Sequence, residues 1–432
     1  MLNSIQHIYS LFTKNPVVCT DTRTIIPGAM FFALKGESFN GNEFAQKAID
    51  GGCAYAIIDE EKYNTGDRFI VVEDVLKTLQ LLAREHRRAH NISVIGITGS
   101  NGKTTTKELF NAVLSKKYKV LATKGNLNNE IGVPLTLLGL TKEHDIAIIE
   151  MGARKQGDIK ELVEIAEPTH GIITNVGKAH LETMGGLEGV VKTKTELYDY
   201  LEREGGVTLI RFEDEILMAK APELKRVTYG YKDGADVAGK LIEDMPSIVF
   251  TWKLKIENRL GPEVTSPMMG SFNFTNIMAA VAVGVHFKVP HVLINDAIEE
   301  YTPTNNRSQV IKTERNTLFL DAYNANPTSM EAAIRSFARV VAEKKALILG
   351  EMLEVGELSA AEHEYAIQVA TSMGMSELYL VGAEFKKVTK SFPTFNTIEE
   401  LKADLESRHL SGRTILIKGS RKNKLEEIVG VL

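Results

Sequence analysis

The sequence contains only two cysteines, Cys19 and Cys53, among its 432 residues. Two isolated cysteines form neither a disulfide framework nor a cysteine-rich metal site, and they fit a reducing compartment. No apolar run approaches the roughly 18 to 20 residues that a membrane-spanning helix needs, so we expect no membrane insertion. The first residues also lack the basic and apolar regions of a signal peptide. Together these absences predict a cytoplasmic protein.

An excess of positive charge is missing as well. The formal net charge is -5, and the lysines and arginines are scattered along the chain rather than clustered. The sequence therefore shows no electrostatic footprint for nucleic acid. Hydrophobic residues make up 44% and charged residues 25% of the chain, which is typical of a globular protein. At roughly 150 residues per domain, a chain of this length is expected to form two or three domains.

Strand-like and helical patterns divide the chain into three parts. Short apolar runs with turn signals lead to a helical pattern over residues 76–90, after which the first domain is predicted to end. From residue 93 onward strands alternate with helices, as in a parallel sheet covered by helices. A polar break at residues 301–306 precedes a second α/β segment. The sequence therefore predicts an α/β fold with domains at residues 1–88, 89–304 and 305–432.

The clearest chemical signal is the segment T-G-S-N-G-K-T-T, residues 98–105, between an apolar strand and a helical pattern. Its glycines let the backbone turn tightly, so that amide groups and a helix N-terminus point at an anion. Lys103 supplies charge for β- and γ-phosphates, and the Thr104 hydroxyl suits Mg²⁺. Ile97 stands where the general motif G-x-x-x-x-G-K-[ST] has its first glycine, and a chance glycine-rich turn is the alternative. The predicted ATP contacts here are Gly99, Ser100, Asn101, Gly102, Lys103, Thr104 and Thr105.

A carboxylate stands at the end of the next predicted buried strand. Glu150 follows the apolar run at residues 146–149. The carboxyl ends of parallel strands open into the crevice where such sheets bind ligands. We therefore predict that Glu150 binds Mg²⁺ beside the phosphate loop; a surface acid at a strand end is the alternative.

This form of the phosphate loop resembles that of the Mur ligase superfamily, which also includes folylpolyglutamate synthases. His180, in the run T-N-V-G-K-A-H-L-E, is similar to the family's histidine ligand of a second magnesium, although Mg²⁺ ordinarily prefers oxygen ligands. In K-T-K-T-E, residues 192–196, which we expect to start the following helix, the family has a lysine carbamylated by CO₂. The family's K-x-K-x-E spacing favours Lys194, with Lys192 as the alternative.

The run G-S-F-N-F-T-N, residues 270–276, resembles the family's adenine-binding segment G-x-H-N-x-x-N. Asn273 and Asn276 stand in the matching places, whereas Phe272 replaces the usual histidine. An amide can donate and accept at once, as the edge of adenine requires. The alternative is a pair of asparagines that cap a helix. The resemblance also implies that Arg307 reaches the nucleotide and that Asp321 approaches its ribose.

Further segments narrow the resemblance to one branch of the family. They are D-A-Y-N-A-N-P-T-S-M at 321–330, L-G-E-M-L-E-V-G at 349–356 and T-K-G-N-L-N-N-E-I-G-V-P at 123–134. Ala322 replaces a usual serine. Residues 21–41 resemble the uridine-nucleotide-binding domain of the later members, with Asn40 where aspartate is usual. The substrate contacts that the resemblance implies are Arg23, Asn40, Gly41, Asn128, Asn129, Asn324 and Asn326.

The resemblance implies an ATP- and Mg²⁺-dependent ligase that joins D-alanyl-D-alanine to UDP-N-acetylmuramoyl-tripeptide through an acyl phosphate, as a monomer. Its implied domains are a small N-terminal α/β uridine-nucleotide-binding domain, a central P-loop parallel-sheet ATPase domain and a C-terminal Rossmann-like α/β domain. The implied catalytic residues are Lys103, Glu150, His180 and Lys194. The implied metal ligands are Thr104, Glu150, His180 and carbamylated Lys194.

Other functions remain as alternatives. A nucleotide kinase or another P-loop phosphotransferase would explain the loop but would leave the first and last domains without a role. A GTPase-like switch would need a guanine-specifying N-K-x-D sequence, which does not occur. Folylpolyglutamate synthases lack the N-terminal domain. The sequence does not distinguish diaminopimelate from lysine as the third peptide residue, and it does not identify the general base for the incoming amine.

Overall fold

Parallel-stranded sheets form the centre of each of three α/β domains in the computed structural model, which describes residues 4–178, 181–257, 259–303 and 306–432. The predicted fold class is confirmed. The predicted domain boundaries at residues 88/89 and 304/305 stay predictions, and the second of them falls outside the described residues. In the described part of the chain, no helix combines the length and the apolar character that crossing a membrane requires.

The first domain is built on a small parallel sheet with the strand order β1-β2-β5-β6 and a short β3-β4 hairpin beside it. Its apolar strands are buried, as in any sheet covered on both faces. The elements are α1 Ile5–Phe12, β1 Val18–Cys19, β2 Met30–Phe32, β3 Lys35–Gly36, β4 Phe39–Asn40, α2 Ala45–Asp50, β5 Tyr55–Ile58, β6 Phe69–Val71 and α3 Val75–Ala89.

Helix α3 belongs to two domains at once. Asp74 caps its N-terminus by accepting the Lys77 backbone N–H at 2.7 Å. Its apolar side chains Leu79 and Leu82 are fully buried, in a cluster that also contains Ile149 of the middle domain. Because α3 contacts helices α5 Gly132–Leu137 and α6 Asp158–Ala166 as well as the first sheet, the first two domains share one continuous core.

The middle domain carries the largest sheet, with nine described strands in the order β15-β14-β13-β12-β11-β10-β7-β9-β8. Strands β7 to β13 are mutually parallel, and at one edge β14 is antiparallel to both β13 and β15. The elements besides α5 and α6 are β7 Ser93–Thr98, α4 Lys103–Leu114, β8 Val120–Ala122, β9 Ile146–Glu150, β10 His170–Ile173, α7 Leu181–Met184, α8 Gly186–Glu204, β11 Val207–Arg211, α9 Glu215–Ala219, β12 Lys225–Gly230, β13 Val237–Glu243, β14 Ile248–Leu254, β15 Val264–Ser266, α10 Ser271–His286 and α11 His291–Glu300.

Strand β7 lies at the point where the connections of this sheet change direction. The chain leaves β7 toward β8 and β9 on one side and then returns to β10 on the other side. Ligands of open parallel sheets bind outside the carboxyl ends of the strands at such a switch point. The phosphate loop, which follows β7 directly, therefore lies where this topology predicts a ligand.

The last domain has a six-stranded sheet in the described residues, with the order β16-β17-β21-β18-β19-β20. Only β16 is antiparallel to its neighbour. The elements are β16 Gln309–Lys312, β17 Thr317–Asp321, α12 Pro327–Ala338, β18 Lys345–Gly350, α13 Ser359–Ser372, β19 Leu378–Val381, α14 Ala383–Val388, β20 Thr394–Phe395, α15 Ile398–Arg408 and β21 Thr414–Lys418, followed by the short 3-10 helix Leu425–Val431.

One local prediction is wrong. Residues 192–196 do not start a helix but lie in the middle of α8, which begins at Gly186. The glycines near its start resemble a loop in sequence, because glycine disfavours helix interiors. Packing decides otherwise: a Cβ atom on Gly189 would lie 1.7 Å from the Met184 carbonyl oxygen, so close approach of α7 and α8 requires glycine there.

Candidate active site

The phosphate loop turns sharply between β7 and α4, and two of its glycines are required by geometry. Gly99 has φ +141°, and an added Cβ would lie 2.0 Å from Thr174 Oγ1. Gly102 has φ +79°, and its Cβ would lie 2.8 Å from Asn276 Oδ1. Positive φ is strained for residues with side chains. The loop conformation therefore excludes other residues at both positions.

The segment after β10 braces the loop. Ser100 Oγ donates to the Gly177 carbonyl at 3.2 Å and accepts the Gly177 N–H at 3.0 Å. The Asn101 N–H donates to Asn175 Oδ1 at 3.0 Å, and Thr174 Oγ1 donates to the Asn101 carbonyl at 2.6 Å. The loop is thus held in shape by protein contacts, which leaves little for a bound phosphate to reorganise.

Lys103 begins α4 and folds back over the loop. Its Nζ donates to the Gly99 carbonyl at 2.7 Å and to the Ser100 carbonyl at 3.4 Å. Burial lowers the pKa of Lys103, the positive charge of Arg307 lowers it further, and the carboxylate of Glu150 opposes both. Arg307 is thus close enough to Lys103 for the two charges to interact. Thr105 lies in the same first turn of α4.

Glu150 is the last residue of β9 and is only 2% exposed. Its Oε1 accepts hydrogen bonds from Thr104 Oγ1 at 3.2 Å and from Asn128 Nδ2 at 2.8 Å. Its Oε2 is buried without a hydrogen-bond partner in the described structure. A buried carboxylate oxygen without a partner is costly unless a cation or donor binds it. This oxygen and the Thr104 hydroxyl fit the oxygen ligands that Mg²⁺ prefers.

The two asparagines predicted to contact substrate on this side have partners within the protein. Asn128 donates to Glu150, as described above. Asn129 Oδ1 accepts the Gly132 N–H at 2.9 Å and so helps to start α5. Asn128 is therefore a neighbour of the candidate metal ligand, and the predicted substrate contact of either residue stays a prediction.

Of the two candidate lysines in α8, the structure buries one. Lys194 is 2% exposed, whereas Lys192 is exposed to solvent. Burial, and next the charge of Lys103, lower the pKa of Lys194 to about 7, while Asp158 raises it. Within the described ranges Lys194 Nζ has no hydrogen bond or ion pair. Lys194 is thus the lysine that lies near the phosphate loop.

His180, predicted to bind a second metal ion, lies outside the described residues. Among the residues that are described, no group of three or more His, Cys, Asp and Glu side chains could hold a metal. The candidate site at Glu150 and Thr104 has one carboxylate and one hydroxyl, so it is not a group of that kind.

Asn273 and Asn276 both lie inside α10, whose N-cap is Gly270, so the alternative that they cap the helix is wrong. Asn273 Nδ2 donates to the Met269 carbonyl at 2.8 Å and to Ser308 Oγ at 2.9 Å. Asn276 Nδ2 donates to Asn273 Oδ1 at 3.1 Å. These bonds use both amide hydrogens of Asn273, which leaves neither of them for adenine. The predicted contacts of Asn273 and Asn276 with adenine stay predictions.

In the last domain, Arg307 precedes β16 and Asp321 ends the paired strand β17. The Arg307 guanidinium stacks on the Tyr323 ring at 3.7 Å from its centroid, and its Nε is buried without a partner in the described structure. Asp321 Oδ2 accepts from Lys418 Nζ at 2.6 Å. Lys418 is 2% exposed and also donates to the Asn324 carbonyl at 3.4 Å. The predicted ribose contact of Asp321 would therefore share this carboxylate with a buried lysine.

Three contacts that sequence reasoning missed join the last domain to the loop region. Asn326 caps α12 through Oδ1, and its Nδ2 donates to Asn101 Oδ1 at 2.7 Å. Lys178 Nζ forms an ion pair with Glu362 at 2.5 Å, and the Lys178 N–H donates to Thr328 Oγ1 at 3.2 Å. Asn326 was predicted to bind substrate, but no sequence signal pairs these positions.

The predicted uridine-nucleotide contacts of the first domain form a separate group. Arg23 is exposed and pairs with Asp21 at 2.6 Å, and this hydrogen-bonded arginine lowers the pKa of Asp21 to about 2. Asn40 donates to Glu60 at 2.9 Å and accepts from the Asn42 backbone at 3.1 Å. In the described structure no hydrogen bond or ion pair connects Arg23 or Asn40 with the phosphate loop.

Gly41 is buried beside Asn40, and a Cβ there would lie 2.2 Å from the Leu34 carbonyl oxygen. Sequence reasoning missed the polar network next to it. Asn42, 1% exposed, donates to Asp59 at 2.8 Å, and Lys35 pairs with Asp59 at 2.9 Å. Asn40 and Gly41, the predicted ligand contacts at this turn, thus also have a structural role.

The structure therefore brings several of the predicted residues together: Thr104 contacts Glu150, Asn276 lies against Gly102, and Asn326 of the last domain contacts Asn101. A strand-helix phosphate loop, a carboxylate with an unpartnered oxygen, a buried lysine of low pKa and an arginine from the next domain together define an ATP-dependent enzyme that activates an anionic group. Three family models match in chain order: Mur ligase family, catalytic domain, over residues 17–87; Mur ligase middle domain over 97–284; and Mur ligase, glutamate ligase domain, over 306–421. The chain belongs to the Mur ligase family, as its sequence predicted.

Two relatives from different bacteria share one name. The UDP-N-acetylmuramoyl-tripeptide–D-alanyl-D-alanine ligase of Bacillus subtilis is 35% identical over 428 residues, which cover 95% of this chain and 92% of the relative. The ligase of the same name from Escherichia coli is 32% identical over 424 residues, 96% of this chain and 93% of the relative. Similarity thus extends through all three domains.

Solved structures show similarity over the same length of the chain. MurF from Acinetobacter baumannii has a TM-score of 0.86 and 30% identity, covering 96% of this chain and 92% of that one. MurF ligase from Thermotoga maritima, in complex with ADP, has a TM-score of 0.86 and 28% identity, covering 96% of both chains. A folylpolyglutamate synthase from Mycobacterium tuberculosis, at 12% identity, shares the fold over 82% of this chain with a TM-score of 0.63.

Proposed function

We propose that this protein is the ligase that joins D-alanyl-D-alanine to UDP-N-acetylmuramoyl-tripeptide with hydrolysis of ATP to ADP and phosphate. The relatives that carry this name match the chain over nearly its whole length. The observation that carries the proposal on the structural side is the bond between Asn326 and Asn101. It places the D-A-Y-N-A-N-P-T-S-M segment, which distinguishes this branch of the family, directly against the phosphate loop.

The reaction requires that two anions meet. Transfer of the γ-phosphate of ATP to the peptide carboxylate forms an acyl phosphate and ADP. The amine of D-alanyl-D-alanine then attacks the acyl carbon, forms the amide and releases phosphate. Since the protein supplies positioning and positive charge rather than a covalent intermediate, its cations are the main catalytic groups. We assign Lys103 to the phosphates because its Nζ lies over the loop, and Arg307 because its buried Nε has no hydrogen-bond partner in the described structure.

Mg²⁺ fits beside the loop. We propose that Thr104 and the unpartnered Oε2 of Glu150 hold one ion. His180 and carbamylated Lys194 would hold a second ion, in line with the burial of Lys194. When bound, such ions would neutralise charge on the phosphates and on the carboxylate. Lys194 would acquire its negative charge by addition of its neutral amine to CO₂, with loss of one proton.

The remaining contacts are assigned by domain. We propose that the uridine part of the precursor binds Arg23, Asn40 and Gly41, and that Asn273 and Asn276 lie near adenine. Asn324 follows the end of β17 and is exposed to solvent. We propose that it contacts the incoming dipeptide. We also propose that the protein acts as a monomer in the cytoplasm, where ATP and the nucleotide precursor are present together.

A substrate panel tests the proposal. Phosphate release is measured with ATP and Mg²⁺, and with each of UDP-N-acetylmuramoyl-tripeptide, D-alanyl-D-alanine, D-alanine, and folate with glutamate, alone and in pairs. We expect release above the Lys103→Ala background only when the tripeptide precursor and the dipeptide are both present. Equal rates with D-alanine, or turnover with folate and glutamate, would contradict the assignment. Precursors ending in diaminopimelate and in lysine, compared at equal concentration, identify the natural third residue.

A further inference from the structure

A lysine outside the phosphate loop is buried one turn after it. Lys107 lies in α4, three residues after Thr104, and is 1% exposed. Its Nζ donates to the Thr123 carbonyl at 2.7 Å and pairs with Glu108 at 2.8 Å. A buried ammonium group is costly unless it is paired and hydrogen-bonded. These two bonds give the buried side chain its partners and fix α4 to residue 123.

Thr123 in turn fixes the strand that ends in the candidate metal ligand. It follows β8 and is 2% exposed. Its backbone N–H donates to the Ile148 carbonyl at 3.0 Å, and its Oγ1 accepts the Glu150 N–H at 3.0 Å. Thr123 therefore holds the backbone of β9 on both sides of Ile149. The Glu150 N–H, at the end of an inner strand, has a side-chain hydroxyl as its acceptor.

The segment that starts at Thr123 also reaches the carboxylate of Glu150. Five residues later Asn128 donates to Glu150 Oε1 at 2.8 Å, and the Gly152 N–H donates to the Asn128 carbonyl at 2.7 Å. On the other side Thr104 of α4 donates to the same oxygen. Two connections thus join α4 to the Glu150 carboxylate. One is the direct bond from Thr104, and the other runs from Lys107 through Thr123 and the segment 123–128.

We propose that Lys107 and Thr123 are positioning residues that set the place of the Glu150 carboxylate relative to the phosphate loop. They thereby determine how tightly the protein binds the metal–nucleotide complex. The inference rests on the proposed role of Glu150 as a metal ligand, but not on the identity of the peptide or the amine. Outer contacts of this kind orient metal ligands, and their loss typically weakens metal binding roughly 10- to 100-fold.

The test measures metal binding directly, with Mn²⁺ as the probe and ADP present, by electron paramagnetic resonance of free Mn²⁺. Thr123→Val removes the hydroxyl that accepts the Glu150 N–H and keeps the carbonyl that Lys107 binds. We expect it to weaken Mn²⁺ binding roughly 10-fold. Thr123→Ser keeps the hydroxyl and should restore the affinity. Lys107→Met should weaken it to a similar extent, whereas Lys116→Met, which removes an ion-paired lysine near Glu300, should not.

Binding of ADP in EDTA separates positioning from general damage. We expect it to stay within about twofold of the wild-type value in all variants that retain the native circular dichroism spectrum, since surface and outer contacts away from the nucleotide have small effects. If Thr123→Val is folded and binds Mn²⁺ as tightly as Thr123→Ser does, the two residues have only a structural role. If Glu150→Gln also leaves Mn²⁺ binding intact, the proposed metal ligand itself is wrong.

Discussion

Replacing Lys194 with alanine should nearly abolish ligation, whereas the same change at Lys192 should not. The two lysines are two residues apart in one helix, but only Lys194 is buried. Its pKa is lowered to about 7. Roughly half of its amine is then neutral at pH 7, against roughly one part in three thousand for a lysine with an ordinary pKa. The neutral amine is the form that reacts with CO₂, so the structure favours carbamylation at Lys194.

The size of the expected effect follows from the charge that the carbamate supplies. Loss of one preorganised charged group at a site of group transfer costs roughly 10²-fold or more in rate. We therefore expect at least that loss in phosphate release for Lys194→Ala. For Lys192→Ala we expect no more than about a twofold change, as for other exposed substitutions. Added acetate or formate should partly restore the activity of Lys194→Ala, because a small carboxylate can fill the vacated space.

Activity alone does not identify a carbamate, so a second assay is needed. Metal-free protein in ¹³C-labelled bicarbonate should show a carbamate carbonyl resonance that is absent from Lys194→Ala and retained in Lys192→Ala. The reasoning is refuted if the resonance is lost in Lys192→Ala instead, or if Lys194→Ala is folded and ligates at a near-normal rate.

Lys103→Ala should remain folded, since its partners are loop carbonyls, and should lose roughly 10²-fold or more in turnover; a near-normal rate in steady-state assays would show that ATP binds elsewhere. His170 and His286 share a hydrogen bond at 3.0 Å, and burial and the second ring lower the pKa of His170 to about 4. Because the unfolded state takes up the proton first, stability should fall by up to about 1.5 kcal/mol between pH 6.5 and pH 5, and should be constant above that range. Urea midpoints across this range should fall less in His170→Gln than in wild type, because His286, whose pKa is also lowered by burial, still contributes. Lys178→Met removes the half-exposed ion pair with Glu362, which contributes no more than about 1 kcal/mol. Small-angle X-ray scattering of this variant should show a larger radius of gyration without ligand, and the wild-type radius with an ATP analogue. An unchanged radius would mean that other groups hold the last domain against the middle one.

The parts of the site that depend on local sequence were predictable. A phosphate loop requires glycine at fixed positions after a strand, and the structure shows why at Gly99 and Gly102. Glu150 could be placed because a carboxylate at the end of a parallel strand must face the crevice. The order of strands and helices likewise follows from periodicity, so the α/β fold was predictable.

Contacts between distant segments were not predictable in this way. Asn326 and Asn101 are 225 residues apart in the chain and meet only because the last domain lies against the loop. The bond from the Asn128 amide to Glu150 was likewise not predicted, and the substrate contact of Asn128 stays a prediction. The contact between Lys418 and Asp321 follows from strand order. These residues end the neighbouring parallel strands β21 and β17, and such strands end at the same edge of the sheet.

Helix α3 has a consequence for how these domains can be exchanged between proteins. One side of it covers the first sheet and the other packs on α5 and α6, within a single buried cluster. A graft that takes the first domain from a relative and joins it at the end of α3 replaces half of a shared core, so the new helix must match two partners. A junction before Asp74, which keeps α3 with the middle domain, still leaves the grafted sheet resting on a foreign helix. The first and middle domains are therefore transferred most safely together, since α3 then keeps both of its packing partners.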